Sequence, residues 1–122
     1  MVRWLANSRS VTTLCDMAQA IAIEPLPAPR REDLRIEDVL QALGDPVRLQ
    51  IVRTLHDEGG QRPCGTFGLP VAKSTASHHF RVLREAGVIH QRAAGRERLT
   101  ELRTDDLESR FPGLLQSVVG AG

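Results

Sequence analysis

Between Lys73 and Arg81 the chain reads Lys-Ser-Thr-Ala-Ser-His-His-Phe-Arg, hydroxyls, imidazoles and cations interrupted only by Ala76 and Phe80. Groups of this kind exchange hydrogen bonds with base edges, and the cationic ones pair with phosphates. At about 100° per residue, Ser74, His78, Arg81 and Glu85 share one side of a helix, with Thr75 and Ser77 on its flanks. Ala76, Phe80 and Leu83 recur at i, i+4, i+7 on the opposite side, the stripe such a helix would bury. Small and cationic side chains occupy the N-terminal half of the polar face. Glu85 sits at the far end, where a carboxylate stands clear of phosphates. The spacing predicts a helix capped by Ser74 and stopped by Gly87.

A hairpin follows at once. Val88-Ile89-His90-Gln91-Arg92 is β-prone, Ala93-Ala94-Gly95 reads as the turn, and Arg96 to Arg103 returns. Arg92, Arg96 and Arg98 gather about the tip. Leu99 and Leu102 have opposite parity, so the pattern predicts a hairpin without settling its register. A helix able to enter a major groove, followed by a basic hairpin, is the order of a winged helix-turn-helix. On this reading Lys73, Ser74, Thr75, Ser77, His78 and Arg81 contact bases and phosphates, while Arg96 and Arg98 grip the backbone beside the groove.

Charge segregates accordingly. Residues 73–103 carry seven Lys/Arg against three Glu, a net of +4, inside a chain whose total is +1. A basic patch hidden in a near-neutral total is the footprint of DNA rather than of a membrane, although a solvated face would carry similar charges.

Three stretches resemble the ArsR/SmtB family of bacterial winged-helix repressors: ALGDPVRLQIVRTL (Ala42–Leu55), KSTASHHFRVLREAGVI (Lys73–Ile89) and AGRERLTEL (Ala94–Leu102). The resemblance spans roughly residues 36–119. It implies a homodimer that binds a pseudo-palindromic operator and represses transcription until a metal, thiol oxidation or a small molecule releases it. It also implies that Ser74, Thr75, Ser77, His78 and Arg81 lie on the recognition helix, and Arg96 and Arg98 on the wing. A cytoplasmic, nucleoid-associated location goes with it.

The elements that must position these residues are legible in part. The length suits one domain, and with aromatics at 3% and no Tyr the core must be packed Leu, Val and Ile. The expected architecture is mainly α with a small β-hairpin. Residues 1–10 are expected to be disordered, 11–32 a helix plus a Pro-rich linker, and 33–119 the DNA-binding and dimerisation domain. Pro25, Pro27 and Pro29 make the linker extended. Ile36, Val39, Leu40 and Leu43 form a helical stripe; Gly44 stops it, Asp45 caps the next helix and Pro46 opens it. That helix should bury Val47, Ile51, Val52 and Leu55, with Arg48 solvated or on a phosphate. Cys64–Ala72 should hold the first helix of the helix-turn-helix, yet Gly65, Gly68 and Pro70 leave about one turn for it. Thr104 reads as a cap, Pro112 as a break, and Phe111, Leu114, Leu115, Val118 and Val119 as a stripe. With the Ile36–Leu43 stripe it could build a two-fold dimer, or it could cap its own core.

No apolar run reaches the length of a membrane span, and no secretory signal is evident. Two cysteines without a framework suit a reducing compartment. Cys15 and Cys64 are candidate ligands for a soft metal ion or partners in a redox disulfide, but Cys15 reads more readily as a small hydrophobe on an apolar helical face, and Cys64 as a buried thiol or an exposed bystander. Family metal sites on the last helix pair carboxylates with His; here Asp105, Asp106 and Glu108 stand without one. His78 and His79 are adjacent and diverge on a helix, so they cannot chelate one ion together. No nucleophile with an oriented base and no phosphate-cradling glycine loop appears, so no enzyme is expected. The competing reading is a winged helix that binds a protein instead of DNA.

Overall fold

The computed structural model describes residues 24–121. The expectations for residues 1–10, for the helix over 11–22 and for Cys15 lie outside them. The described chain is a winged helix-turn-helix: five α-helices with a four-stranded antiparallel sheet. A 3-10 turn at Arg31–Asp33 leads into α1 (Ile36–Leu43) and α2 (Pro46–Glu58). Strand β2 (Gln61–Pro63) and a 3-10 turn at Cys64–Thr66 precede α3 (Lys73–Ala86). The hairpin β3 (Ile89–Ala94) and β4 (Glu97–Leu102) leads to α4 (Thr104–Arg110) and α5 (Leu114–Gly120). Upstream, β1 (Glu24–Pro25) completes the sheet in the order β1-β3-β4-β2.

The α1–α2 corner forms as its residues dictate. Asp45 accepts from the amides of Val47 at 2.9 Å and Arg48 at 3.1 Å, and Pro46 opens the helix where no amide is needed. Ile51, Val52 and Leu55 are buried as expected; Val47 is only partly so. Val39 and Leu43 of α1 join them, but Ile36 and Leu40 stay 39% and 49% exposed. Only half of that apolar stripe is buried among the described residues.

Several local expectations need correction. The helix proposed to start at Ser74 starts at Lys73; Ala72 holds the cap position and no side chain caps it. Thr104 is likewise the first residue of α4 rather than its cap. The wing loop is not Ala93-Ala94-Gly95: Ala94 pairs with Glu97, leaving the two-residue loop Gly95-Arg96. Gly95 alone takes a positive φ of 64° there, as a type II′ hairpin requires. The register places Gln91 opposite Thr100, both fully buried, so the inward position that breaks the apolar alternation is filled by a polar pair.

Two elements went unread in the sequence. β2 pairs with β4 after Gly59 and Gly60 turn the chain, both at positive φ. The Pro-rich stretch is no free linker: Glu24 and Pro25 pair with Ala93 and Arg92, and the Leu26 amide donates to Gln91 O at 2.9 Å. Its missing amides cost nothing on an edge strand. Farther along, Arg31 and Arg103 both reach the buried carboxylate of Asp106, at 2.8 and 2.9 Å. The segment thus straps the wing to the helical core.

Candidate nucleic-acid interface

Helix α3 divides as its periodicity demands. Phe80, Leu83, Ala86 and His79 are buried, and Ala76 is half-buried. Lys73, Ser74, Thr75, Ser77, His78 and Arg81 are all exposed, along with Glu85. Among the described residues no side chain caps the N-terminus of α3, and the Ser74 hydroxyl is exposed in its first turn. The C-terminus is closed by a Schellman arrangement, with Val88 N donating to Leu83 O at 2.9 Å and Gly87 at φ 88°.

The element before α3 is reduced. One 3-10 turn, Cys64–Thr66, and an irregular stretch to Ala72 stand where a full first helix would be. Aromatic and cationic contacts take over part of its work. Arg62 donates to Thr66 O at 2.7 Å, pairs with Glu58 and lies over the Phe67 ring at 5.2 Å. Phe67 in turn meets Phe80 of α3 edge-on, centroids 5.2 Å apart.

Adjacent histidines behave differently, as helical divergence requires. His78 is exposed. His79 is buried, its Nδ1 3.1 Å from Arg48 Nη1 and 3.8 Å from Asp45 Oδ2. A guanidinium only donates, so Nδ1 accepts. Arg48 also donates to Ala42 O at 2.6 Å. It therefore takes neither of the two roles expected from the sequence, solvated or on a phosphate, but ties the end of α1 to His79 of α3.

On the wing, Arg96 and Arg98 are exposed and Arg92 half-buried. Directly opposed residues share a face, and faces alternate along a strand. The Ala93–Arg98 pair therefore lies on the same face as buried Gln91–Thr100, two residues farther toward the tip. Arg92 projects from the other face. Arg98 thus looks toward α3, and its charge reaches Arg84. Burial, then the Arg98 guanidinium, then that of Arg81 hold Arg84 below its ordinary value, Glu85 partly opposing them. Of the seven cations in 73–103, Arg84 and Arg103 are turned inward: Arg84 donates to Gln91 Oε1 at 2.8 Å, and Arg103 serves Asp106. The outward charge is smaller than the sequence count and concentrated on Lys73, Arg81, Arg96 and Arg98.

No group of three or more metal-ligating side chains comes together among the described residues. Cys64 is a half-buried free thiol packed against the core. Of the α4 carboxylates, Asp106 is spent on its two arginines, while Asp105 and Glu108 face solvent. A cleft of about 270 Å³ lies between the end of α2 and the start of α4, with His56, His90, Glu101 and Asp105 on its walls. No helix among the described residues is long and apolar enough to cross a membrane.

An exposed polar helix beside an arginine-bearing β-hairpin defines the winged helix-turn-helix class. A helix-turn-helix domain model matches residues 43–92, from the end of α1 to β3. The chain is 39% identical over 82 residues to the uncharacterized HTH-type transcriptional regulator YceK of Bacillus subtilis, covering 66% of this chain and 82% of that protein. It is 34% identical over 59 residues to an uncharacterized HTH-type transcriptional regulator of Methanocaldococcus jannaschii, covering 48% and 66% respectively. The chain belongs to the family of HTH-type transcriptional regulators.

Proposed function

We propose that this protein is a sequence-specific DNA-binding transcriptional repressor of the ArsR/SmtB type, cytoplasmic and without catalytic activity, which reads a pseudo-palindromic operator as a homodimer. The observation that carries the reading is the exposure of Lys73, Ser74, Thr75, Ser77, His78 and Arg81 along the N-terminal half of α3, flanked by the exposed Arg96 and Arg98. In this reading Ser74, Thr75, Ser77 and His78 address base edges, and Arg81 a guanine or a phosphate. Lys73 and the wing arginines hold the backbone. The dimer is supported by Ile36 and Leu40, exposed one helical turn apart, and by the half-buried Leu114, Val118 and Val119 of α5. Cys64 would be the thiol contributed by the described residues to a soft metal or redox effector.

Binding to randomised duplexes, followed by affinity measurement against salt, tests the reading. Replacing His78 or Arg81 by Ala should relax preference at particular operator positions by about 1–3 kcal/mol each. Unchanged preference in both variants would remove α3 from base readout. A protein-binding module would show almost no dependence on log salt, whereas several phosphate contacts impose a steep one.

A further inference from the structure

We propose that Arg84, Gln91 and Thr100 form a polar junction that sets the wing against the recognition helix, making Arg84 a positioning residue for DNA binding rather than a DNA contact. The proposal rests on the DNA-binding reading above. Arg84 sits on α3 three residues after Arg81 and is half-buried. Its Nη1 donates to Gln91 Oε1 at 2.8 Å and its Nε to Pro27 O at 3.2 Å. Gln91, 1% exposed, donates through Nε2 to Thr100 Oγ1 at 3.1 Å, and Thr100 is 0% exposed. The Gln91 carbonyl meanwhile accepts from Leu26. One guanidinium therefore ties the reading helix to both wing strands and to the N-terminal strap.

Stability alone does not call for this arrangement. Shape-matched apolar side chains at a buried polar pair are often neutral or better. Hydrogen bonds add direction: they fix distance and angle where apolar contacts can slide. The junction is also placed to matter. Arg98 lies on the same face two residues farther toward the tip, roughly 7 Å at strand spacing, and Arg96 sits in the loop beyond. A change of angle at Gln91–Thr100 is carried outward to both, and contacts to phosphates are lost within an ångström or so of displacement.

The test measures affinity for a duplex selected by the parent protein, as a function of salt, alongside thermal unfolding of each variant. Arg96→Ala/Arg98→Ala serves as the reference for a lost wing. At about 0.9 per phosphate its slope should fall by about 1.8, and binding near 0.15 M salt by roughly 30-fold. Gln91→Leu/Thr100→Val removes no charge and no proposed DNA contact, yet should shift the slope in the same direction by at least about half as much, with folding retained. Arg84→Lys keeps the charge without the two-donor fork and should bind as weakly as Arg84→Met. Parent-like slope and affinity in Gln91→Leu/Thr100→Val, or full rescue by Arg84→Lys, would overturn the proposal. Should the double variant fail to fold, Arg84→Lys decides by the same criterion. A parent without salt-dependent DNA binding would overturn the DNA reading and this junction's role with it.

Discussion

Alanine at Gly87 is a demanding probe of how α3 hands over to the wing. Gly87 holds φ at 88°, and a Cβ there would stand 2.0 Å from Leu34 Cδ2 and 3.2 Å from Pro29 Cγ. The left-handed backbone costs an L-residue about 1–2 kcal/mol. Forcing a methyl into packed side chains adds about 1–3 kcal/mol. Together they remove about 2–5 kcal/mol from a domain whose whole stability is on the order of 5–15 kcal/mol. The thermal midpoint should fall by roughly 10–25 °C. The two contributions separate in a double-mutant cycle, since Leu34→Ala removes the clashing methyl at the expense of a cavity. In that background Gly87→Ala should cost the backbone share and whatever the remaining 3.2 Å approach to Pro29 Cγ adds. Denaturant unfolding followed by circular dichroism, with m held common, reads all four proteins. A cost below about 1 kcal/mol in the parent background would refute both parts of the reasoning, and equal costs in the two backgrounds would refute the steric part.

Acid should lower the protein's stability across two successive pH windows. Burial and the neighbouring Arg103 hold His90 down to about 4, so between pH 6.5 and about 4 the unfolded chain binds a proton that the folded one refuses. Stability therefore declines as pH falls through that window, and His90→Gln should flatten the decline in a pH series of unfolding curves. Burial pushes Asp106 upward, but Arg31 and Arg103 more than offset it and hold the carboxyl at about 2. Its contribution, about 2 kcal/mol, is fully present above the unfolded value and is lost between about pH 4 and 2. On the dimer proposed above, Leu40→Glu, at a position 49% exposed, should leave circular dichroism unchanged but shift sedimentation from dimer to monomer. A variant that stays dimeric would exclude this face from the interface.

The candidate site was legible because local physics decides it. The division of α3 into buried Phe80 and Leu83 and exposed His78 and Arg81 follows from helical periodicity. So do the Asp45 cap, the Pro46 start and the Gly87 stop, each dictated by backbone conformation within a few residues. What escaped were contacts between distant segments. The strap of β1 on β3 looked like a linker because prolines forbid a helix without saying what else the chain touches. Arg48 was read as solvated or on a phosphate, and Arg84 and Arg103 entered only the count of basic charge, since a guanidinium on a solvated face and one closing a buried network are the same letter.

This chain's amino-acid order therefore determined which segments form its main helices and its hairpin, and which side chains α3 turns outward. Those follow from φ, ψ and the 3.6 and 2.0 periods, which act over a handful of residues. The fold alone decided the wing's register, with Gln91, Thr100 and Leu102 facing inward and Leu99 on the opposite face. It alone also decided which arginines serve the inside, because an ion pair such as Arg31–Asp106 joins residues 75 positions apart, and only the packed chain brings them together.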